Sequence, residues 1–236
     1  MSKRAIILAG GKGTRLRPYT VVLPKPLMPI GEYPILEVII RQLVHYGFDH
    51  ITLAVNHQAN LLKAFFGDGS AWGIKIDYSL ENSPLGTIGP LKFIQDLPNN
   101  FLVMNGDVLT DLNFAEFFLQ HVKDSCIYTI SSKIRQQNID YGVLQVDAEY
   151  NLNGFEEKPK VAYQVSMGIY MVNLKALNWV PEGPFGFDNL MLSLIENNES
   201  VKVRAHDGYW LDIGRVDDYI EAIDIFEAKK SIFLHE

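Results

Sequence analysis

Ala5-Ile6-Ile7-Leu8-Ala9-Gly10-Gly11-Lys12-Gly13-Thr14-Arg15-Leu16 is the stretch on which the fold turns. A short run of consecutive apolar residues closed by glycines fits a strand buried on both faces, the kind that builds a parallel sheet. The glycines that follow let the backbone take positive φ and approach a ligand closely. Successive N–H groups in such a loop form an anion-binding concavity. Thr14 would add a hydroxyl there, and Arg15 a planar cationic fork for phosphate oxygens. A tight turn after a strand fits the same residues. The loop is not a Walker A motif, because no Gly-Lys-Ser/Thr follows a four-residue gap. Nor is it Gly-x-Gly-x-x-Gly, because Leu16 stands where the third glycine belongs.

Outward from this stretch, strands and helices alternate. Residues 35–46 carry apolar side chains at helical spacing and stop at Gly47, which reads as a helix with a glycine stop. Residues 51–55 form the next apolar run, 61–66 a second helix ended by Gly67, 74–78 an alternating strand, 86–95 a third helix and 101–104 another buried strand. That order predicts an α/β fold, a doubly wound and mostly parallel sheet with helices on both faces. Ligands in such folds bind at the carboxyl ends of the strands, so the segments after Ala9 and Met104 are the places to search. Later residues are richer in strands, at 127–131, 141–146, 165–172 and 201–204, with 163–167 facing a cleft. Helices are expected over 187–196 and 216–229. Residues 1–236 read as one domain with two subregions around a cleft.

The chain has 236 residues, 47% hydrophobic and 21% charged, within the ordinary globular range. Its net charge of -7 makes it a poor partner for nucleic acid, whose phosphates need basic patches. Cys126 is the single cysteine, so no intramolecular disulfide forms and a reducing, cytoplasmic setting is expected. Its apolar surroundings read as core rather than as a nucleophile's site. The apolar run before Gly10 is too short for a signal peptide, and none is long enough to span a membrane. The six histidines show no metal-ligand spacing.

The second chemical motif is Leu23-Pro24-Lys25-Pro26-Leu27-Met28-Pro29-Ile30. Prolines on either side fix their own φ and push the preceding residue toward extended geometry. Lys25 is therefore expected on a stiff, extended segment. A stiff cation suits stabilisation of a charged transition state, and an exposed loop lysine is the alternative. Asp107 follows the strand at 101–104 through Asn105-Gly106, which puts a carboxylate at the ligand edge of the sheet. Asp212 lies in a short apolar segment ending at Gly214. Two carboxylates meeting at a triphosphate suit Mg²⁺, and a turn-capping aspartate at each place is the other reading.

Gly10-Gly11-Lys12-Gly13-Thr14-Arg15-Leu16-Arg17-Pro18 followed by Pro24-Lys25-Pro26-Leu27 resembles the signature of the sugar-1-phosphate nucleotidyltransferases. The likeness continues through Asn105-Gly106-Asp107, Glu157-Lys158-Pro159 and Trp210-Leu211-Asp212-Ile213-Gly214, nearly the whole chain. The resemblance implies an enzyme in which a sugar-1-phosphate oxygen attacks the α-phosphate of a nucleoside triphosphate and releases pyrophosphate. The product is an NDP-sugar for cell-surface polysaccharide synthesis. By the same resemblance Mg²⁺ is required and sits on Asp107 and Asp212. Arg15 and Lys25 are the catalytic cations, and Leu8, Gly10, Gly11, Gly13, Thr14, Arg15, Glu81, Gly86 and Thr87 bind nucleotide. The sugar phosphate falls to Asn105, Gly106 and Gly142, to Glu157 and Lys158, and to Ser166 and Gly168. Ser166-Met167-Gly168-Ile169-Tyr170 departs from the family's Asn-Ala-Gly-Ile-Tyr at its first two positions. Many longer relatives carry a C-terminal left-handed β-helix, and this chain is expected to lack it. A homodimer is possible.

The stretch Glu81-Asn82-Ser83-Pro84-Leu85-Gly86-Thr87-Ile88-Gly89 resembles the mannose-1-phosphate and heptose-1-phosphate guanylyltransferase pattern, except that Ile88 stands where alanine is usual. Guanine presents N1–H and N2–H₂ side by side, and an ionised carboxylate can accept from both. Glu81 is thus the expected guanine reader, and GTP the expected nucleotide. Amino-sugar-phosphate uridylyltransferases share the pattern, so that alternative stands beside the first. A third is a non-catalytic nucleotide-sugar-binding regulatory subunit, against which Arg15, Lys25, Asp107 and Asp212 all count. A nicotinamide-dependent dehydrogenase lacks support without the third glycine.

Overall fold

The computed structural model describes residues 2–11, 13–56, 58–81 and 83–235. Lys12 and Asn82, quoted above within motifs, and His57 lie outside the described residues. In chain order the strands are β1 Arg4–Leu8, β2 Pro29–Ile30, β3 Tyr33–Pro34, β4 His50–Val55, β5 Lys75–Leu80, β6 Asn100–Asn105 and β7 Val108–Thr110. They continue with β8 Tyr128–Asn138, β9 Val143–Val146, β10 Leu152–Glu156, β11 Lys160–Asn173, β12 Val201–Ala205 and β13 Trp210–Asp212. The helices are α1 Ile35–His45, α2 Ala59–Phe66, α3 Phe114–Asp124, α4 Phe187–Glu196, α5 Val216–Ala228 and α6 Lys230–Leu234.

Seven strands form one sheet in the order β12-β8-β11-β6-β1-β4-β5. β1 lies between β4 and β6 and pairs parallel with both, which is why Ala5, Ile6 and Ile7 are fully buried. β4 with β5 and β12 with β8 are parallel as well. β11 runs antiparallel to β6 and β8, so the sheet is mostly parallel, as the alternation implies. Apolar cores cover both faces. One gathers Leu36, Ile40, Leu43 and Phe226 against the sheet. The other gathers Leu190, Leu194 and Phe187 with Tyr128 and Tyr170, whose rings stack within 4.3–6.4 Å of one another. Arg4 ties the far edge: its buried guanidinium donates to Thr52 Oγ1 at 2.7 Å and to the Gln95 carbonyl at 2.9 Å.

Three points differ from the expectations. Residues 86–95 are not an α-helix: a turn at Gly86, φ 77°, leads into a 3-10 helix over Gly89–Phe93. Pro90 lacks the N–H that an α-helix would use there, and Ile88 N–H donates at 3.1 Å to Phe185 O across the cavity wall instead. Lys25 is not extended: Lys25–Leu27 is a 3-10 helix, closed by Met28 N–H on the Lys25 carbonyl at 3.0 Å. The third is an addition. α3 has no counterpart among the expected elements, and it is capped at Asn113, whose side chain accepts from Glu116 N–H. No helix among the described residues is long and apolar enough to cross a membrane.

Candidate active site

The carboxyl ends of β1, β4, β5 and β6 meet at one cavity of about 640 Å³, within the range of small-molecule sites. Leu8, Gly10, Gly11, Glu81, Gly86, Thr87, Asn105 and Asp107 line it. With Ala54 and Asn56, these residues come from four separate stretches of sequence, brought together by the parallel registers of β1 with β4 and β6 and of β4 with β5.

The glycine loop is held from beneath. Ala9 N–H bonds the Ala54 carbonyl at 2.8 Å, and Gly106 N–H the Leu8 carbonyl at 3.0 Å. Asn56 Nδ2 donates to the Gly10 carbonyl, while its Oδ1 accepts from Gln58 N–H. Gly13 has φ 60°, and a Cβ there would lie 2.9 Å from Thr20 Cγ2. Only glycine fits that bend without strain. Thr20 Oγ1 donates to the Gly13 carbonyl at 2.6 Å, and Leu16 N–H donates to the same carbonyl at 2.9 Å. Thr14 and Arg15 are exposed at the mouth.

Glu81 extends the β4–β5 ladder, its N–H on the Val55 carbonyl at 2.8 Å. Its Oε1 accepts from Leu85 N–H at 2.5 Å, and Oε2 lies 3.6 Å from the position a Cβ on Gly10 would take. The carboxylate thus clamps the 81–85 turn with one oxygen and presents the other beside the glycine loop. The opposite wall is pinned to the start of α4. Thr87 Oγ1 accepts from Phe187 N–H at 3.0 Å, and Phe185 N–H donates to the Leu85 carbonyl at 2.9 Å.

At the inner end, β7 and β13 pair antiparallel with Asp212 opposite Val108, and Ile213 N–H donates to the Asp107 carbonyl at 3.0 Å. This pairing sets Asp212 beside Asp107, more than a hundred residues away in sequence. Lys25, only 8% exposed, points its Nζ at Asp107 Oδ2. Asp107 Oδ1 is buried without a hydrogen-bond partner. Burial, and then the neighbouring Asp107 carboxylate, push the Asp212 carboxyl above its ordinary range, while Lys25 and Arg15 pull it back. Arg15 also lies near: both its Nη2 and Asp212 Oδ2 come within 3.5–3.6 Å of the place a Gly214 Cβ would occupy. An orphaned oxygen and a second, underneutralised carboxylate make a donor set that fits a hard divalent cation. No group of three or more metal-ligating side chains occurs among the described residues, so such an ion would take its other ligands from phosphate and water.

The sugar-side expectations divide. Asn105 and Gly168 are in contact: with Gly168 at φ 72°, a Cβ there would lie 2.6 Å from Asn105 Nδ2. Ser166 spends its hydroxyl locally, donating to Tyr170 Oη at 3.1 Å and accepting from Gly168 N–H at 3.2 Å, while Met167 is buried in the core. Glu157 and Lys158 stand exposed, 4.0 Å from each other. Gly142 packs under the Phe155 ring, 3.2 Å from Glu157 Oε2 by its would-be Cβ. Gly142, Glu157, Lys158 and Ser166 do not line the cavity that holds Glu81 and Asp107. Ala54, Ser83, Pro84 and Pro90 line the cavity without having been expected to, and so does Asn56. Its position directly after the strand at 51–55 was the available signal, since ligands gather at carboxyl ends.

Comparison with known proteins follows the same lines. Residues 4–229 match the family described as nucleotidyl transferase. A UTP–glucose-1-phosphate uridylyltransferase of Synechocystis is 34% identical over 93% of this chain and 62% of its own length. A probable mannose-1-phosphate guanylyltransferase of Oryza sativa is 34% identical over 94% of this chain and 64% of its own. This chain therefore spans somewhat less than two thirds of those relatives. Among solved structures, HddC from Yersinia pseudotuberculosis in complex with GMP-PN superposes with a TM-score of 0.73 at 27% identity, covering 95% of this chain and 99% of that one.

Proposed function

The chain belongs to the nucleotidyl transferase family, and on that premise we propose that it joins GTP to a mannose- or heptose-type sugar 1-phosphate, giving a GDP-sugar and pyrophosphate. The observation that carries this reading is the single cavity in which the glycine loop, Glu81 and Asp107 meet, with Lys25 and Asp212 at its inner end. A triphosphate laid across it would meet the backbone N–H groups of Gly10, Gly11 and Gly13 and the exposed Arg15. Glu81 Oε2 would accept from guanine N1–H and N2–H₂. Asp107 and Asp212 would hold Mg²⁺, which when bound neutralises phosphate charge and polarises the phosphorus under attack.

The sugar phosphate brings its own nucleophilic oxygen, so no protein nucleophile or general base is needed. The chain's work is positioning and charge neutralisation. Lys25, fixed by its 3-10 helix between two prolines, would neutralise the oxygens of the α-phosphate and of the incoming phosphate. Asn105 and Gly168 would meet the sugar phosphate at the cavity edge, with Glu157 and Lys158 approaching from the outer ribbon. A guanine preference is supported by Glu81, by the guanylyltransferase relative and by the solved neighbour's GMP-PN complex. The Synechocystis uridylyltransferase favours UTP as the second reading. A matrix of four nucleoside triphosphates against several sugar 1-phosphates, scored by pyrophosphate release, separates them. GTP should give the highest kcat/KM. Release with UTP alone refutes the base assignment, and release with no pair refutes the activity.

A further inference from the structure

Lys25 and Asp107 pair with each other across 82 residues of sequence. The lysine is buried at 8% exposure, and the short helix that carries it is closed by the Met28 N–H bond and stiffened by Pro24 and Pro26. The ammonium satisfies Asp107 Oδ2 only, and Oδ1 stays without a partner. Lys25 thus faces Asp107 while Arg15 stands near Asp212, and one oxygen of the converging carboxylates is left without a partner. A buried carboxylate left without any cation is strongly unfavourable, and so is a buried ammonium left without an anion. Each must keep a partner of opposite charge through any change of state.

We propose that Lys25 is a placeholder for the metal: it neutralises Asp107 in the free protein and is released when a divalent cation takes that carboxylate. The inference rests on the placement of Mg²⁺ at Asp107 and Asp212 in the function proposed above. The released ammonium needs a new anion, and a phosphate oxygen in the cavity supplies one. Cation entry and the arming of Lys25 are then a single exchange. The metal-free protein keeps its catalytic cation sequestered, and the metal-bound protein presents it. Lys25 must also compete with the metal, so removing its charge strengthens metal binding even though it removes a group the reaction uses.

The test measures Mn²⁺ affinity by electron paramagnetic resonance in the absence of nucleotide. Lys25→Met should bind Mn²⁺ about tenfold more tightly than the native protein, and Asp107→Asn should lose that binding. Equal or weaker affinity in Lys25→Met overturns the proposal. Should that variant fail to fold, the native protein decides the question. Acylation of Lys25 by an amine-reactive reagent, read from peptide masses, should change several-fold on adding Mg²⁺ together with inorganic phosphate, while exposed Lys123 is unaffected. A Lys25 rate indifferent to that addition overturns the exchange. Failure of the wider functional reading is distinguishable: it leaves the Mn²⁺ and acylation results in place and shows itself as no pyrophosphate from any substrate pair.

Discussion

Replacing Glu81 by Gln should invert the nucleotide preference while leaving the fold unchanged. The clamp on Leu85 N–H needs only an acceptor, which the amide oxygen supplies. That fixes the amide orientation, because the NH₂ must then take the place of Oε2 beside Gly10. A carboxylate oxygen that would accept from guanine becomes a donor facing donors. Hydrogen bonds to charged groups contribute about 1.5–3 kcal/mol, so a loss of about 2–3 kcal/mol is expected, or about 30- to 150-fold in kcat/KM for GTP. The same NH₂ can donate to a uracil carbonyl, so kcat/KM for UTP should rise or hold. The assay is pyrophosphate release with each nucleotide at subsaturating concentration, alongside thermal unfolding of the free protein. An unchanged GTP-to-UTP ratio, with the melting temperature preserved, would falsify the assignment of Glu81 as base reader. A large fall in melting temperature would instead make the clamp, not base recognition, the main task of the carboxylate.

Lys25→Ala should cut turnover by about a hundredfold or more with the circular dichroism spectrum retained; a near-native rate removes Lys25 from catalysis. Gly86→Ala puts a Cβ 2.4 Å from the Phe185 carbonyl at φ 77°, so strain of about 1–3 kcal/mol should lower the melting temperature and raise KM for nucleotide, and an unaffected KM would mean that this wall is not part of the nucleotide site. Asp212→Asn should abolish activity yet stabilise the metal-free protein near neutral pH. Burial and Asp107 raise the Asp212 carboxyl in the folded state, so its ionisation weighs against folding above that raised value. The penalty fades as pH falls toward the ordinary 3.8. The variant's advantage in melting temperature should shrink in step, and an advantage that grows on acidification contradicts the sign.

The fold was legible where local signals agree. An apolar run ended by glycines at residues 5–11 has few outcomes, and β1 lies inside the sheet between β6 and β4 as that pattern demands. The convergence of Lys25, Asp107 and Asp212 was legible only as residue types, because their meeting depends on the β7–β13 register and on a 3-10 helix that the flanking prolines do not announce. α3 carried a readable cap in Asn113 and Glu116, but Leu119 and Val122 stay exposed on its outer side. Phe114, Phe117 and Phe118 nevertheless fall at i, i+3 and i+4, the spacing by which an amphipathic helix is recognised, so the stripe was there to be read. For residues 86–95 the apolar content suggested a helix, and the non-local ties from Ile88 and Leu85 to Phe185 decided otherwise.

The two halves of the site differ in rigidity, and this bears on specificity. The glycine loop, Asn56 and Asp107 stand just after the interior strands β1, β4 and β6, whose apolar residues are almost wholly buried, and the clamped Glu81 follows the edge strand β5. Glu157, Lys158 and Gly142 stand instead around β9–β10, a two-stranded sheet with Leu144, Val146, Leu152 and Phe155 all exposed. A two-stranded ribbon of that kind is marginally stable alone, and low-stability segments are the ones that move on binding. Phosphate chemistry needs preorganised charge, whereas recognition of a sugar tolerates closure around the ligand. If the sugar 1-phosphate meets Glu157 and Lys158, the ribbon must fold inward to bring them to the cavity edge at Asn105. Changes in residues 139–160 should then alter which sugar is accepted through KM, while kcat for the sugar that does bind stays governed by Lys25 and the two aspartates.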